Sequence, residues 1–132
     1  MISQTPASPL RALIVEDEEV VATMLVNVLR HLGILVVQSA ATRSEAMRLL
    51  MVDEPVDIAL VDLHLDVAGG GIDVAKGAVA RGIYVVIITG YDRVPDDLAG
   101  HALLMKPFSV DHLEAVIADA RRQLSVLPGS DG

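Results

Sequence analysis

Short β-prone apolar runs alternate five times with windows of helical apolar spacing, and few folds accommodate that alternation. Strands are expected at Leu10 to Val15, Ile34 to Val37, Val56 to Val61, Tyr84 to Ile88 and Ala102 to Met105. A first helix, from about Glu18 to Leu32, carries Val20, Val21, Met24, Leu25, Val28 and Leu29 on one face. Gly33 stands where a left-handed cap ends it. Thr42 and Glu45 have the spacing of a capping box, opening a second helix that buries Ala46, Leu49 and Leu50 until Pro55 breaks it. Gly69, Gly70 and Gly71 read as a hinge-like loop ahead of a third helix, from about Ile72 to Arg81, which Gly82 closes. Pro107 and Ser109 open a last helix with Leu113, Val116, Ile117, Ala120 and Leu124 turned inward.

Strands separated by helices in this way form a parallel sheet with helices on both faces. The composition fits. Apolar residues make up 52% of the chain, yet no apolar run approaches the roughly 20 residues that span a bilayer, so the excess belongs in a doubly covered sheet. A length of 132 residues suits one domain, taken as 10–126 between loose tails at 1–9 and 127–132. Met1 to Pro9 has neither the basic residues nor the apolar stretch of a secretory signal, and there is no cysteine for disulfides or thiolate metal sites. A cytoplasmic location is the expectation. Ten Lys and Arg against eighteen Asp and Glu leave a net charge of −8. That field repels phosphate backbones, and one Phe, two Tyr and no Trp offer bases no stacking platform. Neither direct nucleic-acid binding nor a membrane is expected.

In open parallel sheets ligands bind beyond the carboxyl ends of the strands, where the strand order reverses. Those ends are Glu16 and Asp17 after strand one, Asp62 after strand three, Thr89 after strand four and Lys106 after strand five. Three carboxylates in one small volume repel one another unless a cation neutralises them. Cysteine is absent and the four histidines are scattered at 31, 64, 101 and 112, so a hard, oxygen-preferring ion such as Mg2+ suits the cluster. Asp62, ending an apolar strand, has the placement of a nucleophile that takes a phosphoryl group as an acyl phosphate. Lys106 offers a positive charge and Thr89 a hydroxyl to phosphoryl oxygens, and Gly90 leaves room for the donor. Each feature has a plainer reading by itself. Acids from Glu16 to Glu19 also suit a helix's first turn, Asp62 a turn, and Lys106-Pro107 an ordinary bend; their order along the chain is what favours a site. The side chains of His31, His64, His101 and His112 read as surface groups.

Val15-Glu16-Asp17, Val61-Asp62, Ile88-Thr89-Gly90 and Lys106-Pro107-Phe108, in that order over about residues 10 to 125, resemble the successive signatures of response-regulator receiver domains of two-component systems. The resemblance implies a flavodoxin-like fold with strand order 2-1-3-4-5. It implies phosphorylation of Asp62 by a histidine kinase or histidine phosphotransfer protein. Mg2+ would be held by Glu16, Asp17, Asp62 and the backbone carbonyl of His64, with Thr89 and Lys106 on the phosphoryl group and a cis Lys106-Pro107 bond. Such a protein is a signalling phosphoacceptor that catalyses only its own phosphorylation and dephosphorylation. Its output runs through a downstream protein target or onward phosphotransfer.

Three departures from the family pattern stand out. Leu65-Asp66 replaces the usual Met-Pro and brings another acid near the site. Leu103 occupies the place of the aromatic switch that precedes the lysine. Thr89 and Lys106 are only 17 positions apart, with Pro95 and Gly100 between them, so the helix between strands four and five is expected to be a single turn or missing. Thr89-Gly90-Tyr91 is similar to a subset of single-domain receivers in bacterial stress and cell-cycle phosphorelays. Tyr91 is either a lid over the site or a partner contact, and the stretch from Tyr91 to His101 is the expected partner surface. Two alternatives stay open: a pseudo-receiver that acts only as an interaction scaffold, and the receiver of a hybrid kinase, against which Met1 and the tail favour a whole protein. A metabolite phosphotransferase finds no nucleotide fingerprint, since the triple glycine matches neither phosphate-loop pattern.

Overall fold

The computed structural model describes residues 9–52, 54–90 and 94–125; the expected tails (apart from Pro9) and Tyr91 lie outside them. Its elements are β1 (Arg11–Val15), α1 (Glu19–His31), β2 (Leu35–Ala40), α2 (Arg43–Met51), β3 (Ile58–Asp62), α3 (Gly70–Ala80), β4 (Tyr84–Thr89), a 3-10 turn (Asp96–Leu98), β5 (Ala102–Met105) and α4 (Val110–Ser125). All strand pairs are parallel, in the order β2-β1-β3-β4-β5. This is the flavodoxin-like arrangement expected from the sequence, with one 3-10 turn where a helix would join β4 to β5.

Alternation of side chains along each strand builds two cores. Ala12, Ile14, Ile58, Leu60, Val86 and Ile88 point to one face, where they meet Leu25 and Leu29 of α1 and Leu113, Ile117 and Ala120 of α4. Their neighbours Leu13, Val15, Ala59, Val61, Val85 and Ile87 point to the other, against Ala46 and Leu50 of α2 and Val74, Ala75 and Ala78 of α3. Burying one such large aliphatic side chain contributes about 1.5–3 kcal/mol, so the central strands hold the frame rigidly. Leu98 of the 3-10 turn enters the second core, and Lys76 of α3 pairs with Asp97 at 2.6 Å.

Helix ends follow the sequence signals closely. At the end of α1 the Gly33 N–H donates to the Arg30 carbonyl and the Ile34 N–H to Leu29, with Gly33 at φ 82°. Gly82 ends α3 through the equivalent pair of bonds, to Val79 and Ala78. Both are Schellman closures that only glycine makes without strain. At α2, Thr42 Oγ1 accepts from the Glu45 N–H at 3.1 Å, while the Glu45 carboxylate turns back to the Ala41 N–H at 3.2 Å.

Four expectations need correction. Val20 is 82% exposed, because the arc of α1 that faces the sheet runs through Leu25 and Leu29, and Val20 lies beyond its edge. The second strand continues through Gln38 and Ser39 to Ala40, since an edge strand tolerates polar residues on its open side. Helix α2 ends at Met51 with Val52 as its cap, before Pro55 is reached. Gly70 and Gly71 are not a hinge-like loop: they are buried in the first turn of α3, and Gly69 caps the helix at φ 73°.

The reason for glycine at 71 is contact with the backbone of β3. A Cβ there would lie 2.1 Å from the Asp62 carbonyl oxygen and 2.4 Å from Leu63 Cα. Glycine thus lets α3 rest directly on the strand end that carries Asp62. In an open helix Gly→Ala is stabilising by roughly 1 kcal/mol. Here the sign is expected to invert: Gly71→Ala should destabilise by about 1–3 kcal/mol through overpacking, read as a lower urea midpoint at unchanged m-value.

Candidate functional site

After β1 the chain steps outward to β2 and then crosses back to β3, so the order reverses between β1 and β3. Val15 and Val61 are partners across that pair, and the residues that follow them emerge side by side. Asp62, the last residue of β3, is 2% exposed. Both its oxygens are engaged. Oδ1 accepts from the His64 N–H at 2.7 Å, a local turn bond that fixes the carboxylate's orientation, and Oδ2 accepts from Lys106 Nζ at 2.8 Å.

Glu16 follows β1 directly, and its N–H donates to the Ala40 carbonyl at 2.9 Å. Its Oε2 accepts from the Glu18 N–H at 3.0 Å and from Lys106 at 3.2 Å. Its Oε1 is buried and accepts no hydrogen bond, although Lys106 Nζ stands 3.1 Å away in poor geometry. Asp17 is exposed, and one oxygen each from Glu16, Asp17 and Asp62 lie within 4.8 Å of one another. Lys106 follows β5 and extends the ladder, its N–H donating to the Thr89 carbonyl at 2.8 Å. Thr89 is fully buried at the end of β4. A cavity of about 430 Å3 opens above, lined by Asp17, Glu18, Asp62, His64, Gly90 and Lys106. A larger cavity of about 540 Å3 lies at the far end of the sheet, beside the close of α2 and Arg81, without a comparable set of convergent acids.

Of the five side chains singled out from the sequence, Glu16, Asp17, Asp62 and Lys106 therefore meet at one rim, with His64 beside them, Thr89 buried at the neighbouring strand end and the Lys106-Pro107 bond cis. The histidine side chains at 31, 64 and 112 are exposed and that of His101 is half-buried. Gly90 edges the cavity mouth, and a Cβ there would meet nothing within 4 Å, so packing does not require glycine at this position. Asp66 does not join the acids. Its Oδ1 accepts from the Arg43 N–H at 2.9 Å and so caps the start of α2, where Arg43 also reaches Asp73 at 2.9 Å. Two contacts escaped sequence reasoning, the His64 N–H on Asp62 and the Glu18 carboxylate on Lys106 at 2.5 Å. The first is a backbone group; the second is masked by the ordinary preference for acids at a helix start.

Electrostatics explain why the cluster calls for a cation. Burial pushes the Glu16 carboxyl up from its ordinary 4.5 to about 7; the Glu18 N–H opposes this, Asp62 adds to it, and Lys106 opposes it. At Lys106 burial pulls downward, but hydrogen bonds to Asp62, Glu18 and Glu16 outweigh it and the ammonium is held above its usual range. One ammonium thus serves three carboxylates and leaves Glu16 Oε1 unsatisfied. A buried acceptor without a donor, in a carboxylate that shares a cluster with Asp17 and Asp62, is a group that could hold a hard divalent ion.

The sequence family of the response regulator receiver domain matches residues 12–118. The chain belongs to that family. It is 31% identical to the transcriptional regulatory protein PdtaR of Mycobacterium tuberculosis, over 93% of this chain and 63% of PdtaR, so it spans under two thirds of that relative's length. The receiver domain of the PhyR response regulator from Erythrobacter litoralis superposes with a TM-score of 0.77 at 27% identity, covering 87% of this chain and 92% of that one. SdrG from Sphingomonas melonis Fr1 superposes at 0.73 with 30% identity, over 88% and 99%.

The Glu16 shift has a sign that stability measurements can read. A carboxyl raised by folding favours the protonated fold, so the penalty is absent below about pH 4.5 and complete above about pH 7. In metal-free buffer at pH 8, Glu16→Gln is expected to stabilise the protein, by on the order of 2 kcal/mol. The same change should remove most of any additional thermal stabilisation that millimolar Mg2+ gives the wild-type protein. A variant less stable than wild type in the chelator would contradict this account.

Proposed function

We propose that this chain is a response regulator that accepts a phosphoryl group on Asp62 from a phosphohistidine of a histidine kinase or phosphotransfer protein, in a Mg2+-dependent step. One observation carries the reading: the nearly buried Asp62 carboxylate, at a strand end, holds one oxygen on Lys106 within ligand distance of two more acids. Glu16, Asp17, Asp62 and the His64 carbonyl would hold the ion, which when bound neutralises charge on the phosphoryl oxygens.

The chain's own residues position the rest. The buried strand end and the His64 N–H fix Asp62, so that one of its oxygens is presented to the incoming phosphorus. That oxygen forms a bond to phosphorus while the nitrogen–phosphorus bond of the donor breaks and its electron pair returns to the imidazole. Lys106 turns a donor toward a phosphoryl oxygen, and Thr89, at the adjacent strand end, offers its hydroxyl to another. Water later cleaves the acyl phosphate to inorganic phosphate and restores the carboxylate. The reaction serves signalling and has no separate substrate to turn over.

Output then runs through contact with a downstream protein or onward transfer, in the cytoplasm, without nucleic-acid or membrane binding by this domain. No described helix is long and apolar enough to cross a membrane. Val94 to His101, the described part of the shortened connection before β5, is the candidate contact surface. Acetyl phosphate with Mg2+ should add a single phosphoryl group by mass, and Asp62→Asn should abolish the addition. An unchanged wild-type mass, under conditions that modify a control receiver, would rule the reading out and leave a scaffold role.

A further inference from the structure

We propose that Glu18 is a positioning residue, a displaceable latch on Lys106 that sets how readily the ammonium turns toward an anion on Asp62. The inference rests on the phosphoacceptor reading above. An ammonium has three N–H donors. In this structure all three have carboxylate partners, Asp62 Oδ2 at 2.8 Å, Glu16 Oε2 at 3.2 Å and Glu18 Oε1 at 2.5 Å. A phosphoryl group on Asp62 carries the anion outward from the present carboxylate, so the ammonium has to shift to follow it, against its bonds to Glu16 and Glu18.

Exposure decides which partner yields. The Glu16 side chain is 0% exposed, and a donor taken from it leaves a carboxylate without water to replace it. The Glu18 side chain is 60% exposed and returns to solvent at little cost. Local backbone permits the swing. Glu18 is the N-cap of α1, yet its carboxylate makes no capping bond; it is turned to the lysine instead. Its own N–H is anchored on Glu16 Oε2, and its carbonyl accepts from the Ala22 N–H at 2.9 Å, so the main chain stays in place when the side chain leaves. Glu18 therefore competes with the phosphoryl group for Lys106, slowing its capture and shortening its stay.

The test measures phosphorylation by acetyl phosphate at saturating Mg2+, the lifetime of the phosphorylated form and Mg2+ affinity. It uses wild type, Glu18→Gln, Glu18→Ala and Lys106→Met, together with the Glu18→Gln/Lys106→Met pair. Glu18→Gln and Glu18→Ala should each phosphorylate faster, by about three- to fivefold, the scale of one half-exposed ion pair, with a lifetime longer to a similar degree. Mg2+ affinity should fall by less than about fivefold. In unphosphorylated Glu18→Gln the Lys106 side-chain ammonium should exchange with water faster by NMR. All kinetic effects of Glu18→Gln should vanish in the Lys106→Met background. Slower phosphorylation, a larger loss of Mg2+ affinity, or an undiminished effect without the lysine overturns the latch. Lys106→Met phosphorylating at the wild-type rate would instead defeat the underlying role of Lys106, so the two failures are told apart.

Discussion

One ammonium shared among three carboxylates is the interaction on which the rest of this molecule depends. Lys106 is within hydrogen-bonding distance of Asp62, Glu16 and Glu18, and two of those acids are almost completely buried. Like charges this close, removed from water, would move apart if the backbone allowed it. The sheet does not allow it. β1, β3 and β4 lie between two apolar layers, and the acids are fixed to their ends. Stability built in the core is thus partly offset at the rim, where the charge pattern suits a divalent ion and a phosphoryl group.

The frame reaches the site through backbone contacts more than through side chains. Gly71 brings the first turn of α3 against the Asp62 carbonyl, so the strand end cannot drift away from its pocket. The His64 N–H sets the carboxylate from the other side. Asp66 then ties the following loop to the start of α2 through Arg43. Three successive stretches after β3 are each held by a different partner, and the loop that borders the cavity is correspondingly constrained. That constraint matters for catalysis by positioning, where displacing a reacting group by an ångström is costly in rate.

Two of the three departures from the family pattern read in the sequence fall beside β5. Among the described residues a 3-10 turn stands between β4 and β5, and its Leu98 packs into the core. Leu103, 37% exposed on β5, has no ring to rotate between inward and outward positions. An aromatic switch at position 103 is therefore absent from this chain. The Lys106 network lies just past the end of the same strand.

From the sequence alone, element order, parallel topology and the meeting of Glu16, Asp17, Asp62 and Lys106 at one sheet edge were legible, because each depends on short-range pattern: apolar period, cap spacing and which residue ends a strand. Gly33 and Gly82 were readable as helix closures for the same reason. The triple glycine was not, since its cause is a carbonyl of another element 2.1 Å from a Cβ that does not exist. Val20 and Asp66 were misplaced because helical spacing specifies a face without specifying where the sheet ends, and an acid near a site in sequence may serve a different helix in space. Only the folded chain decided that Glu18 leaves its own helix uncapped to reach Lys106, since that preference depends on charges 88 residues away.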